Sequence, residues 1–328
     1  MKTYCLCIAL IGCFTLQAQK SPYDVGTSKT QAKDTTPRSA FAARFKPVPM
    51  ADWKKGMKFM TEPVKIKALG MASRIELAPY GSQNFINDQL RQSDFEWKTF
   101  IYQSREQRVV KYPTGTVTNT YLIFECEGKK YEYEFAGDTN ALRKNPKAYI
   151  KKIIYLEEVD KVKEELMGKT IYILSSKWMT EDDKGKIVNS EGNQKFVAVT
   201  VTAVGLGTQD GPCKIVFKQN NSTKEGFLNV SLSGINRSTG LFGIDFDQAF
   251  AMEDPRLKYP KIKPEIWAVI QNESMRIGMS KQEAELSWGK PTKIENVVTS
   301  AKTTEQWIYV DTESNLFFEN DILVLIQN

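Results

Sequence analysis

From Phe45 onward, short apolar runs are broken by Gly, Pro, Asn and Asp, the pattern of strands and turns. Trp53, Met57, Phe59 and Met60 surround Gly56, and residues 95–102 form a strand-like run. Residues 118–125 and 130–135 flank Glu127-Gly128-Lys129, which predicts a hairpin. Within it, Tyr131-Glu132-Tyr133-Glu134-Phe135 alternates with period two, which places aromatics on one face and carboxylates on a solvated one. Ile150, Ile153 and Ile154 follow Asn145-Pro146 at helical spacing and read as part of a connector. A second strand-rich stretch starts near Leu166. Residues 196–204 alternate Val and Thr, and 214–217 with 226–232 predict another hairpin. Gly168-Lys169-Thr170-Ile171 echoes Gly56-Met57-Lys58-Phe59, which suggests two related β-modules in tandem.

Prolines at 255, 260 and 264 then mark a boundary, because each disfavours helix in the residue before it. Pro264 suits a first helical turn, and Ile266, Trp267 and Ile270 continue at helical spacing. Ser280 with Glu283 spells a capping box, so a second helix runs from Lys281 to Trp288 and buries Ala284, Leu286 and Trp288. Gly289 and Pro291 stop it. Three strands are expected next, over 305–310, 315–319 and 322–327, with Asn320-Asp321 as a two-residue turn. Taken literally, those loops set Trp307 against Phe318 and Leu323, and Tyr309 against Leu316 and Leu325, as the core face. The other face carries Gln306, Ile308, Phe317, Glu319, Ile322, Val324 and Ile326. It is too apolar for simple solvation, so a neighbouring part of the chain or a partner should cover it.

The start of the chain reads differently. A short basic opening, Met1-Lys2-Thr3, precedes an apolar run over 4–16, the layout of a signal peptide with cleavage after Ala18. Leu10-Ile11-Gly12-Cys13 offers the alternative of a lipobox, with Cys13 acylated. Either reading exports the protein, to the periplasm or the outer membrane, with a membrane attachment only through such an anchor. Residues 19–44 are rich in Ser, Thr, Gln and Lys and read as a flexible linker. Asp34-Thr35-Thr36 within it resembles an O-glycosylation motif of some Bacteroidota. Removal of the leader would leave Cys126 and Cys213, either paired or buried as small hydrophobes.

Composition narrows the chemistry. The 328 residues carry a net charge of +6 but no Lys/Arg block, so no nucleic-acid partner is expected. There is no histidine, which removes Ser-His-Asp and Cys-His catalysis and the common zinc sites. No metal, cofactor or catalytic residue is expected. Glu181-Asp182-Asp183 lacks the ligand spacing of a calcium loop, and Gly205-Leu206-Gly207 lacks the rest of a dinucleotide fingerprint. Two other classes stay open. A carboxylate hydrolase needs two acids roughly 5–9 Å apart in one cleft, and a glycan binder could use Trp53, Trp97 or Trp178.

The C-terminal motifs carry a resemblance. Ile277-Gly278-Met279-Ser280, then Glu283, then Trp288-Gly289-Lys290-Pro291 define the helical part. Glu305-Gln306-Trp307-Ile308-Tyr309, then Leu316-Phe317-Phe318-Glu319-Asn320, then Ile326-Gln327 define the strands. Together they resemble the SmpA/OmlA (BamE-type) domain of outer-membrane lipoproteins, with Asp321 in place of the family's turn glycine. The resemblance implies structural roles for Gly278, Met279, Ser280, Glu283, Gly289, Pro291, Trp307, Tyr309 and Phe318. It also implies a protein-binding role in the envelope, as does the similar fold of β-lactamase-inhibitor proteins. Nothing upstream shares it.

The expected architecture is an α+β multidomain protein, with two small mainly-β barrel or sheet modules followed by a helix-helix-three-stranded antiparallel sheet module. In order these are a signal peptide (1–18), a linker (19–44), β-module 1 (45–137), a connector (138–163), β-module 2 (164–244), a linker (245–262) and the BamE-like module (263–328). The expected function is non-enzymatic binding of an envelope protein. The candidate surface is Gln306, Ile308, Phe317, Glu319 and Val324.

Overall fold

A computed structural model describes residues 38–63, 74–112, 115–182, 184–219, 225–238, 243–298 and 303–328. The signal peptide, Cys13, the motif at 34–36 and most of the first linker lie outside the described residues. Three largely antiparallel sheets dominate, and they correct the expected architecture.

The first sheet has six strands: β1 (Lys58–Thr61), β2 (Ala78–Pro79), β3 (Thr99–Tyr112), β4 (Gly115–Cys126), β5 (Lys129–Phe135) and β6 (Ile153–Tyr155), ordered β2-β5-β4-β3-β1-β6. The expected hairpin joins β4 to β5. Glu127 and Gly128 both take positive φ, as a two-residue turn matched to strand twist requires. A short helix, α1 (Thr139–Arg143), follows. Residues 138–163 are not a helical connector, because β6 pairs with β1 through Phe59–Tyr155 and Thr61–Ile153. Three residues carry too little periodicity to separate strand from helix; the long-range partner decides. Ile153 and Tyr155 enter the first core, whereas Ile154 enters the second.

Helix α2 (Leu156–Leu166) runs across the boundary expected at 163/164 and buries Val159, Val162 and Leu166. The second sheet has eight strands: β7 (Thr170–Ile173), β8 (Met179–Glu181), β9 (Ile187–Asn189), β10 (Val197–Leu206), β11 (Cys213–Gln219), β12 (Glu225–Ser231), β13 (Ile244–Asp245) and β14 (Phe250–Ala251). Its order is β14-β7-β10-β11-β12-β8-β9, with β13 parallel to β12, so it does not repeat the first sheet. Both expected linkers contribute to its core. Phe41, Ala42 and Phe45 are buried there, as are Phe246, Ala249 and Phe250 around α3 (Phe246–Ala249). Phe41 stacks on Phe246 at 4.7 Å, and Ser39 N–H donates to Asp247 Oδ2 at 2.9 Å. Polar composition hid these few aromatics.

One left-handed residue joins the two sheets. Asn236, at φ 52°, donates from Nδ2 to the carbonyls of Ile150 (3.0 Å) and Ile153 (2.7 Å). Its Oδ1 accepts from Ile150 N–H at 2.7 Å. Gln209 adds donations to Asn236 O and accepts from Lys152 N–H.

The C-terminal module contains α4 (Pro264–Gln271), α5 (Lys281–Trp288) and four strands rather than three: β15 (Lys293–Val298), β16 (Thr303–Tyr309), β17 (Ser314–Glu319) and β18 (Ile322–Gln327), paired in that order. The missed strand, β15, lies at an edge and carries Lys293 and Glu295, charges that discourage stray pairing and mask its strand character. The capping box is present: Ser280 Oγ accepts from Glu283 N–H at 3.3 Å, and Glu283 accepts from Ser280 N–H at 2.7 Å. Gly289 takes φ 81° at the helix stop. On α5, Ala284 is buried as expected, but Ser287 is the second buried residue, while Leu286 and Trp288 are half-buried.

Candidate protein-interaction surface

The two faces of the C-terminal sheet separate by register. Trp307, Tyr309, Leu316, Phe318 and Leu323 form the core face with Trp267, Ile270, Met279 and Ala284. The pairing differs from that expected: Trp307 faces Leu316, Glu305 faces Phe318 and Tyr309 faces Ser314. A three-residue 3₁₀ turn over Val310–Thr312, closed by left-handed Glu313, shifts the register by two residues, which leaves each side chain on its original face. Trp307 stacks on Phe318 at 4.7 Å, and the Tyr309 hydroxyl donates to Gly289 O at 2.9 Å. That bond ties the stop of α5 to the sheet.

A β-bulge then alters the last strand. Phe317 pairs with Leu325 and Phe318 with Leu323, so Val324 is the extra residue. Leu325, expected in the core, turns outward and is 50% exposed, while Ile326 turns inward. The spacing of apolar residues in Ile322–Gln327 has no mark of this, because every position but the last is apolar.

The five candidate residues share the outer face. Gln306 pairs with Phe317, Ile308 with Asn315, and Glu319 with Ile322. Gln306 Nε2 donates to Asn315 Oδ1 at 3.1 Å. Ile308, Phe317 and Glu319 are half-buried, and Ile322, Val324 and Leu325 are exposed. Among the described elements, the strands and helices of the two larger sheets make no more than marginal contact with β16, β17 and β18, and neither large core includes a residue of this face. Lys281 fixes the face from behind, bridging Glu305 (2.8 Å) and Asp321 (2.7 Å). Burial works against the Lys281 charge, but those hydrogen bonds outweigh it and raise its pKa. The Lys281 hydrogen bond likewise holds Glu305 below its usual range.

Other sequence candidates fall apart or change character. Glu132, expected in solvent, is 1% exposed; Arg108 Nη1 lies 2.8 Å away as an ion pair, though neither carboxylate oxygen accepts a well-aligned hydrogen bond. Glu134 is engaged by Tyr121 (2.8 Å) and Asn119 (2.7 Å). Trp53 and Trp178 are buried, so of the three tryptophans only Trp97 is exposed. Cys126 and Cys213 are free thiols in separate cores. Among the described residues no group of acids or thiols is arranged to hold a metal, and no helix is long and apolar enough to cross a membrane.

Besides Glu132, sequence reasoning missed two further buried charges. Glu158 on α2 accepts from Leu232 N–H (2.7 Å), Ser233 N–H (3.1 Å) and Ser233 Oγ. Burial pushes its pKa up against the pull of those donors. Its place on the apolar stripe of α2, one residue before Val159, was the available signal. Lys195 is the other, and no local pattern marks it.

Compared with known protein families, curated proteins and solved structures, the chain has no match.

Proposed function

We propose that this chain is a non-enzymatic exported protein of the cell envelope that binds another protein through the outer face of its C-terminal sheet. The observation that carries the reading is the uncovered apolar surface around Ile308, Phe317, Val324 and Leu325, set on a sheet whose other face is a closed core. A half-buried Phe ringed by Ile, Val and Leu, with Gln306 and Glu319 beside it, has the make-up of a protein contact: an apolar centre with polar neighbours. The resemblance to BamE-type domains supports the same reading, and the signal-like start supports export.

A photo-crosslinking residue at Ile308 or Phe317, in the intact exporting cell, tests it. A discrete protein adduct is expected from both positions and not from Lys163, on the exposed face of α2. Phe317→Arg should reduce the adduct from Ile308 more than about tenfold, as loss of a central aromatic does, with the circular dichroism spectrum unchanged. Adducts equally abundant from Lys163, or none from either sheet position, would sink the proposal.

A further inference from the structure

The C-terminal module meets the second sheet through three consecutive residues. Lys195 N–H donates to Gln271 O at 3.0 Å, Gln271 Nε2 donates to Phe196 O at 3.2 Å, and Gln194 Nε2 donates to Asn272 Oδ1 at 3.2 Å. The Phe196 ring lies 5.8 Å from Trp267, edge to face, and Tyr259 flanks Trp267 at 6.2 Å.

Four features of this seam are unlike a settled core. Phe196 sits at φ 55° and Glu273 opposite at φ 49°, two side-chain-bearing residues in the left-handed region at one contact. Lys195 is 7% exposed, a cation taken out of water. Its ammonium donates to Ser287 O, at the negative end of α5, and pairs with Glu273 only at 3.5 Å, where that carboxylate is itself 39% exposed. Burial accordingly lowers the Lys195 pKa despite Glu273. Beside it lies an unfilled cleft of about 420 Å³, lined by Lys195, Phe196, Tyr259, Leu286 and Lys290 among others.

We propose that this seam is a releasable latch: the C-terminal module undocks from the second sheet as an intact body, uncovering Phe196, Tyr259 and Trp267. Strain at two residues, a desolvated cation and an incompletely filled contact all raise the docked state relative to the undocked one. Trp267 stacking and three polar pins hold it closed. The module keeps its own core in either state, because Trp307, Leu316, Phe318 and Leu323 close on Ile270, Met279 and Ala284 without help from the seam. This inference does not depend on the outer face of the sheet being a binding surface.

Amide hydrogen exchange on the full chain tests it, with Cys5, Cys7 and Cys13 replaced by Ser. Lys195 N–H should exchange at least about a hundredfold faster than amides of β10 and β11, while amides of α5 and β17 stay as slow as those strands. A disulfide from Gln194→Cys with Asn272→Cys should abolish that difference, and adding reductant should restore it. Phe196→Ala should speed the seam a further tenfold or so without speeding α5 or β17. The latch is refuted if Lys195 exchanges as slowly as β10 and β11 in the wild-type chain. It is equally refuted if α5 and β17 open together with the seam, or if the disulfide leaves seam exchange unchanged.

Discussion

A guanidinium between two phenol rings holds a buried carboxylate on the first sheet. Arg108 lies 4.3 Å from the Tyr121 ring centre and 4.9 Å from that of Tyr80, and it pairs with both Glu106 and Glu132. Among the described residues Glu132 pairs with no other cation, and it is removed from water, so losing Arg108 would leave a buried charge unpaired. Arg108→Met should therefore destabilise the chain by about 3 kcal/mol in urea denaturation. Adding Glu132→Leu should recover part of that loss, because the second change removes the stranded charge. A double variant as unstable as the sum of the two single ones would show that the pair is not coupled. The alternation in Tyr131-Glu132-Tyr133-Glu134 separates the carboxylates from the aromatic face but predicts solvent for Glu132, and says nothing of the arginine that pairs with it.

Local signals at the level of elements are strongest where a terminus states its own chemistry. The start of α5 is legible because Ser280 and Glu283 satisfy each other's backbone N–H groups, a contact confined to four residues. Ser280→Ala should cost about 1 kcal/mol of stability, read as a lower urea midpoint with an unchanged slope. An unchanged midpoint would mean that Lys281 and its two carboxylates, rather than the cap, secure this helix. The turn at Asn320-Asp321 was equally legible, and both residues take positive φ as Asn and Asp tolerate. Strands β6 and β15 were not. β6 is short and is a strand only because the distant β1 pairs with it, whereas β15 pairs with the neighbouring β16 and is masked by its own charged residues.

Across the whole molecule, the parts that composition separates are bound together by a few polar contacts. Asn236 links β6 of the first sheet to the loop that follows β12 of the second, with three hydrogen bonds and no exposed surface to spare. Asn236→Gly keeps the left-handed backbone permissible while deleting the side chain, so its effect isolates those bonds. A loss of about 3 kcal/mol is expected, at roughly 1 kcal/mol for each bond. The same change should split one unfolding transition into two when followed by probes in each sheet. A single transition at the wild-type midpoint would remove Asn236 as the joint. Glu158 acts alongside it, clamping α2 to Leu232 and Ser233 in the same loop.

The amino-acid sequence by itself determined what depends on neighbours a few residues apart. It specified the β4–β5 and β11–β12 hairpins, the cap and stop of α5, and the core face of the C-terminal sheet. It also placed Gln306, Ile308, Phe317, Glu319 and Val324 on one opposite face, because strand alternation is a local property. Tertiary structure alone decided the fourth strand, the bulge at Val324 that turns Leu325 outward, and the burial of Phe41 from a linker of polar composition. It also decided that Glu132, Glu158 and Lys195 would be buried charges. The buried charges and the docking of Phe41 rest on partners outside their own segments, while β15 and the bulge at Val324 are set by pairing with the neighbouring strand, which leaves no mark in the spacing of their apolar residues.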